Sequence, residues 1–222
     1  MGMQWSPLAI SLWVSLWAGL IALVSGVWLG WLLAKHKFRG KLILEGIVLL
    51  PLVLPPTVLG FYLLSALGAR GLGPLIEGAL GFRLVFSWRG AVIAAAIAAL
   101  PLVVLTSRAG FEETSQEIED AARVDGCSKP QLFWLIDLPL AGRSIIAGGL
   151  LGLLRALGEF GATLMVAGNI PGQTQTLSMA VYDAVQANNL ERAAQLTLLL
   201  SVLAFGVLYL SLLINRRVLG GR

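Results

Sequence analysis

Arg155 and Glu159 lie four positions apart inside a stretch that is otherwise apolar. On a helix that spacing sets both on one face, where each can neutralise the other. An unpaired ion at membrane depth is costly, so the two are expected either to clamp helices together or to border a polar path through the bilayer. Gly158 and Gly161 would let such a path constrict and open, and Thr163 and Asn169 would give it polar lining. The same small and polar residues equally suit plain helix packing. Elsewhere the chain is poor in reactive groups. Cys127 is the only cysteine and His36 the only histidine. That excludes an internal disulfide, Cys- or His-built metal centres, and most Ser/His or Cys/His nucleophiles. No G-x-x-x-x-G-K-[ST] run occurs, so the chain is expected to hydrolyse no nucleotide itself and to hold no cofactor or metal.

The elements that position these residues are membrane helices. The chain has 222 residues, 57% of them hydrophobic and only 13% charged. Mean hydropathy is +0.84. One soluble core could not hide so much apolar surface, which excludes a soluble enzyme and a self-contained nucleic-acid binder. The net charge of +4 reads instead as basic residues on cytoplasmic loops. Five apolar runs approach the ~20 residues that cross a bilayer: residues 8–34, 46–69, 90–107, 144–167 and 193–215. The first reads as a retained span, because no basic residues precede it. Residues 68–89 and 173–186 are shorter and mixed, and either suits a re-entrant or interfacial helix. Five spans are expected, with six as the alternative.

Lys35, Lys37, Arg39 and Lys41 cluster after the first run, Arg108, Arg123, Lys129 and Arg143 fall between the third and fourth, and Arg216, Arg217 and Arg222 follow the fifth. All are expected on the cytoplasmic side, with the N-terminus outside. Pro51, Pro55 and Pro56 should bend the second span. The tryptophans near span ends suit interfacial anchoring.

The longest polar loop, about residues 109–142, is the most informative segment. Between Glu112 and Asp125 it holds Glu112, Glu113, Glu117, Glu119, Asp120 and Asp125 against Arg123 alone. Such an acidic helix is repelled by an anionic leaflet. Ala121, Ala122 and Val124 are small enough to let another surface approach. Gly126 suits a helix-ending turn with positive φ. Ser128 can cap a second helix that takes Pro130 in its first turn and Leu132, Phe133, Leu135 and Ile136 on its apolar face, with Pro139 as its stop. A solvated hairpin that merely links two spans fits the same residues.

Asp120-Ala121-Ala122, Gly126 four positions after Ala122, then Ile136-Asp137-Leu138-Pro139 resemble the EAA loop of permease subunits in binding-protein-dependent ABC importers. The spacing matches throughout, and Asp120 replaces the usual Glu with its charge retained. The resemblance implies an all-α integral membrane fold of the type I importer kind, one domain over residues 8–215, with the loop as coupling helices. Glu119, Asp120, Ala121, Ala122, Gly126, Pro130, Ile136, Leu138 and Pro139 are then the residues that dock a separate ATPase pair, which binds the ATP. Residues 155–163 (Arg-Ala-Leu-Gly-Glu-Phe-Gly-Ala-Thr) and 168–177 (Gly-Asn-Ile-Pro-Gly-Gln-Thr-Gln-Thr-Leu) are similar to the molybdate branch. The sulfate branch usually has Tyr in place of Phe160. The resemblance implies a homodimer in the cytoplasmic (inner) membrane, fed by an extracytoplasmic molybdate-binding protein, with tungstate or sulfate as alternative cargo. An ion-coupled secondary transporter would want more buried ionisable groups and paired broken helices. A membrane enzyme would want a carboxylate cluster within the spans.

Overall fold

The computed structural model describes residues 6–219, so Trp5 and Arg222 lie outside the described residues. All regular structure among these is helical. Helix α1 (Pro7–Lys35) starts at Ser6, whose hydroxyl accepts from the Ala9 amide at 3.2 Å with Pro7 in the first turn. It ends where His36 turns extended. The second apolar run is two helices, α2 (Lys41–Val53) and α3 (Pro56–Leu67), meeting at 119°. Pro51 sits inside α2 without ending it. The break falls at Leu54 and Pro55, both extended, because each precedes a proline and is pushed out of the α region. A short α4 (Gly73–Leu80) precedes α5 (Trp88–Glu112).

The loop after α5 folds as α6 (Gln116–Val124) and α7 (Lys129–Leu140). Pro139 does not stop α7 as expected from the sequence. A wider turn over Phe133–Asp137, in which the Leu138 amide donates to the Phe133 carbonyl, carries the helix past the proline. After Ala141 the chain bends 70° into α8 (Gly142–Leu157). The expected fourth span is interrupted at Gly158–Phe160 and resumes as α9 (Gly161–Ala167). Helix α10 (Leu177–Gln186) and the long α11 (Leu190–Leu219) complete the fold.

By length and composition α1, α5 and Leu190–Leu210 of α11 can each cross a membrane, and two bent pairs, α2 with α3 and α7 with α8, bring the candidates to five. Helix α5 is the axis of the bundle. Its residues Ala91, Ala95 and Ala99 pack with Ile10, Val14, Ala18 and Ala22 of α1, while Ala94 and Ala98 face Leu59 of α3 and Ala162 and Val166 of α9. In lipid no hydrophobic drive brings helices together, so close backbone approach must do so. A Cβ on Gly26 would stand 2.7 Å from Val103, one on Gly152 equally 2.7 Å from it, and one on Gly148 1.9 Å from Thr106 Oγ1. Val103 thereby wedges between α1 and α8. Leu177 of α10 donates its amide to Ser11 Oγ of α1 at 2.7 Å.

Candidate coupling loop and the break in the fourth span

The α6–α7 loop has the turn its sequence called for. Gly126 has φ +90°. Its amide donates to the Arg123 carbonyl at 3.1 Å, and the Cys127 amide reaches back to Ala122 at 3.0 Å. This paired closure satisfies the carbonyls at the end of α6. Gln131 Oε1 accepts from both the amide and the hydroxyl of Ser128 at 2.8 Å, which fixes the start of α7. Helix α6 has two unlike faces. Glu119 and Ala122 are buried against the body of the protein. Ile118, Ala121 and Val124, spaced by threes, point away, and Val124 is 87% exposed. Of the remaining residues tied to coupling, Asp120 and Pro139 are exposed, Pro130 is exposed at the start of α7, and Ile136 and Leu138 are half-buried.

The buried face of the loop meets α1 through charge. Lys35, the last residue of α1, hydrogen-bonds Glu119 Oε1, and Arg123 Nη2 reaches Glu119 Oε2 at 2.8 Å. Arg123 also bonds Asp120. Asp137 of α7 accepts from Trp31 Nε1 at 3.1 Å and lies 3.9 Å from Lys35 Nζ. Burial pushes the Asp137 carboxyl above the usual range, against the pull of the Trp31 donor and the Lys35 charge. Phe133 stacks edge-on against Trp31, with ring centres 5.1 Å apart. The sequence alone places Lys35 among the basic residues of the cytoplasmic side, Trp31 among interfacial anchors, and Asp137 within the Ile136-Asp137-Leu138-Pro139 run. The four-residue spacing of Trp31 and Lys35 on α1 was the available signal.

The break in the fourth span is built by Glu159. Its Oε2 pairs with Arg155 Nη1 at 2.5 Å, and its Oε1 accepts the Ala162 amide at 2.9 Å. One carboxylate thus pairs across the break and caps the helix that follows it. The side chain is 1% exposed, against 29% for Arg155. Thr163 is buried and its hydroxyl donates to the Phe160 carbonyl at 2.9 Å. Gly161 lies against the break in the second span, where a Cβ would stand 2.8 Å from Pro56 Cβ. The structure therefore brings Arg155, Gly158, Glu159, Gly161 and Thr163 together, with Gly158 on the exposed side. Asn169 belongs to the next loop. Its amide donates to Asp183 Oδ1 at 2.5 Å, and Gln175 donates to Asp183 Oδ2 at 2.6 Å. Among the described residues no group of three His, Cys, Asp or Glu side chains is placed to hold a metal ion.

The chain is similar to known transport proteins. The molybdenum transport system permease protein ModB of Escherichia coli (strain K12) is 40% identical over 213 residues, covering 96% of this chain and 92% of that one. The sulfate transport system permease protein CysT of Salmonella typhimurium is 30% identical over 201 residues, covering 89% and 73%. The fold matches a crystal structure of a bacterial ABC transporter involved in the import of the acidic polysaccharide alginate, with TM-score 0.75, 15% identity, and coverage of 94% and 77%. Residues 26–220 match the family model for the inner membrane component of binding-protein-dependent transport systems. With the all-helical bundle, its candidate spans and the α6–α7 loop in register, this chain belongs to that family of multi-pass membrane transport permeases.

Proposed function

We propose that this chain is the permease subunit of an importer that moves molybdate across the cytoplasmic membrane, driven by ATP hydrolysed on a separate subunit. The observation that carries the reading is the outward face of α6. Ile118, Ala121 and Val124 form an apolar stripe on an acidic helix held by a left-handed turn at Gly126. An apolar stripe is unfavourable in water, and the acidic helix around it is repelled by lipid headgroups. A protein surface is the occupant that fits, here a pair of ATPase subunits docking on Glu119–Ala122, Gly126, Pro130, Ile136, Leu138 and Pro139. Molybdate as cargo is supported by the name of the 40% identical relative and by the Gly158–Thr163 segment.

The chain works as a homodimer around the path, loaded outside by a molybdate-binding protein. The break at Gly158–Phe160 is the gate. Arg155 and Gly158 line its open side, Glu159, Gly161 and Thr163 hold its shape, and Asn169 anchors the loop beyond. Lys35–Lys41 face the cytoplasm and the N-terminus faces outward, a topology whose outer marker Gly2 lies outside the described residues. Reconstitution with an ATPase and the binding protein tests the reading. Molybdate-loaded binding protein should stimulate hydrolysis and uptake, tungstate should compete, and phosphate should be inert. Sulfate uptake at a comparable rate would move the protein to the sulfate branch, and failure to hold any ATPase would end the importer reading.

A further inference from the structure

We propose that Lys35, Trp31 and Asp137 are positioning residues that deliver the motion of the α6–α7 loop to α1, as a second route beside the covalent one into α8. The inference rests on the importer reading above. The covalent route is evident, since α7 passes through Ala141 directly into α8. The second route starts from Lys35. One ammonium faces a carboxylate from each helix of the loop: it hydrogen-bonds Glu119 of α6 and stands 3.9 Å from Asp137 Oδ1 of α7, an oxygen with no hydrogen-bond donor of its own. If α6 moves it draws on Lys35 through Glu119, and if α7 moves away from Lys35 the buried Asp137 loses the cation beside it.

Burial makes this tie stiff. The side chains of Lys35, Glu119 and Asp137 are 15%, 11% and 6% exposed. An exposed ion pair exchanges its partners for water at little cost, whereas a buried ion stripped of its partner stays uncompensated. Arg123 holds the other oxygen of Glu119, which fixes the carboxylate on α6 with Oε1 turned to Lys35. The wide turn over Phe133–Asp137 adds direction. It inserts extra arc into α7, and the two residues at its ends, Phe133 and Asp137, both touch Trp31. Such turns alter the facing of side chains within a helix. Beyond the tie, α1 has no slack against α5. Cβ atoms on Gly26 and Gly30 would meet Val103 at 2.7 Å and Ser107 at 3.0 Å. A push on Lys35 therefore reaches the centre of the bundle.

The test compares Lys35→Met, Asp137→Asn and Lys35→Arg with wild type in proteoliposomes holding the ATPase and binding protein. The quantity read is molybdate moved per ATP hydrolysed. Lys35→Met and Asp137→Asn should keep the ATPase and its hydrolysis while that ratio falls about tenfold, and Lys35→Arg should restore it. A wild-type ratio in both neutral variants, or an equal loss in Lys35→Arg, overturns the proposal. A variant that sheds its ATPase is decided by hydrogen exchange on the permease alone. Amides of residues 31–36 should exchange about tenfold faster in Asp137→Asn while those of α8 stay unchanged, and unaltered exchange at 31–36 overturns the tie. A wild-type complex that moves no molybdate overturns the importer reading instead, and the exchange measurement still decides the tie.

Discussion

Replacing Gly126 by valine isolates the turn of the coupling loop from everything around it. A Cβ at this position meets nothing within 4 Å, so no steric clash with neighbours enters the outcome. What remains is the backbone, held at φ +90°. A residue with a Cβ loses about 1–2 kcal/mol in the left-handed region, and β-branched side chains fare worst. That is roughly a 5–30-fold shift away from the native turn. The two closing hydrogen bonds, Gly126 to Arg123 and Cys127 to Ala122, are disfavoured by that factor. If the ATPase recognises the native arrangement of α6 and α7, its apparent affinity should fall by up to that roughly 5–30-fold factor, because only the competent fraction binds. Titrating purified ATPase onto the permease in nanodiscs reads this directly. Gly126→Asn should recover much of the loss, since asparagine tolerates the left-handed region. Thermal unfolding of the span bundle should move little in either variant. Equal affinity for the glycine and valine proteins would refute the reasoning, and would leave the loop as a linker.

Glu159→Ala should lower assembly yield more than the double change Arg155→Ala/Glu159→Ala, because the single change strands Arg155 and uncaps α9; the reverse order would sink the pairing account. Gly148→Ala should destabilise the bundle by about 1–3 kcal/mol through overpacking against Thr106 Oγ1, and adding Thr106→Ala should recover part of it, read as apparent melting temperature in detergent. For Asp137 the folded carboxyl titrates above its unfolded value, so the charged form is disfavoured in the fold and stability is lost as pH rises from the ordinary carboxylate range through the raised value. Asp137→Asn should remove that dependence, read as apparent melting temperature against pH, and an unchanged pH profile in the variant would contradict it.

Much of this was legible because it depends on local chemistry. Gly126, Ser128 and Pro130 specify a turn, a cap and a helix start whatever surrounds them, and the apolar runs specify helices through length alone. What hydropathy hides is continuity. Residues 144–167 read as one span because Glu159 is a single acid in an apolar run, yet that acid is the cap that lets the helix break and restart. Pro139 read as a stop because the wide turn that accommodates it has no sequence mark. The break at Leu54 and Pro55 was hidden differently, since three prolines announce a bend but not that it reaches 119°. The tie between α1 and the loop joins residues 84 and 106 positions apart, and no local pattern reports a contact of that range.

The Arg155–Glu159 pair sums to zero charge, yet its members are unequally presented, 29% against 1% exposed. The arginine side chain is part-exposed while the carboxylate is buried. Such an arrangement behaves as a dipole with its positive end turned outward, and a dipole's field decays faster with distance than that of a lone charge. A doubly charged tetrahedral anion would feel a favourable field only when close, and would leave it within a few ångströms. If the break is the gate proposed above, the pair would discriminate by sign without holding its ligand, as a passage requires where each bound ion must also be let go.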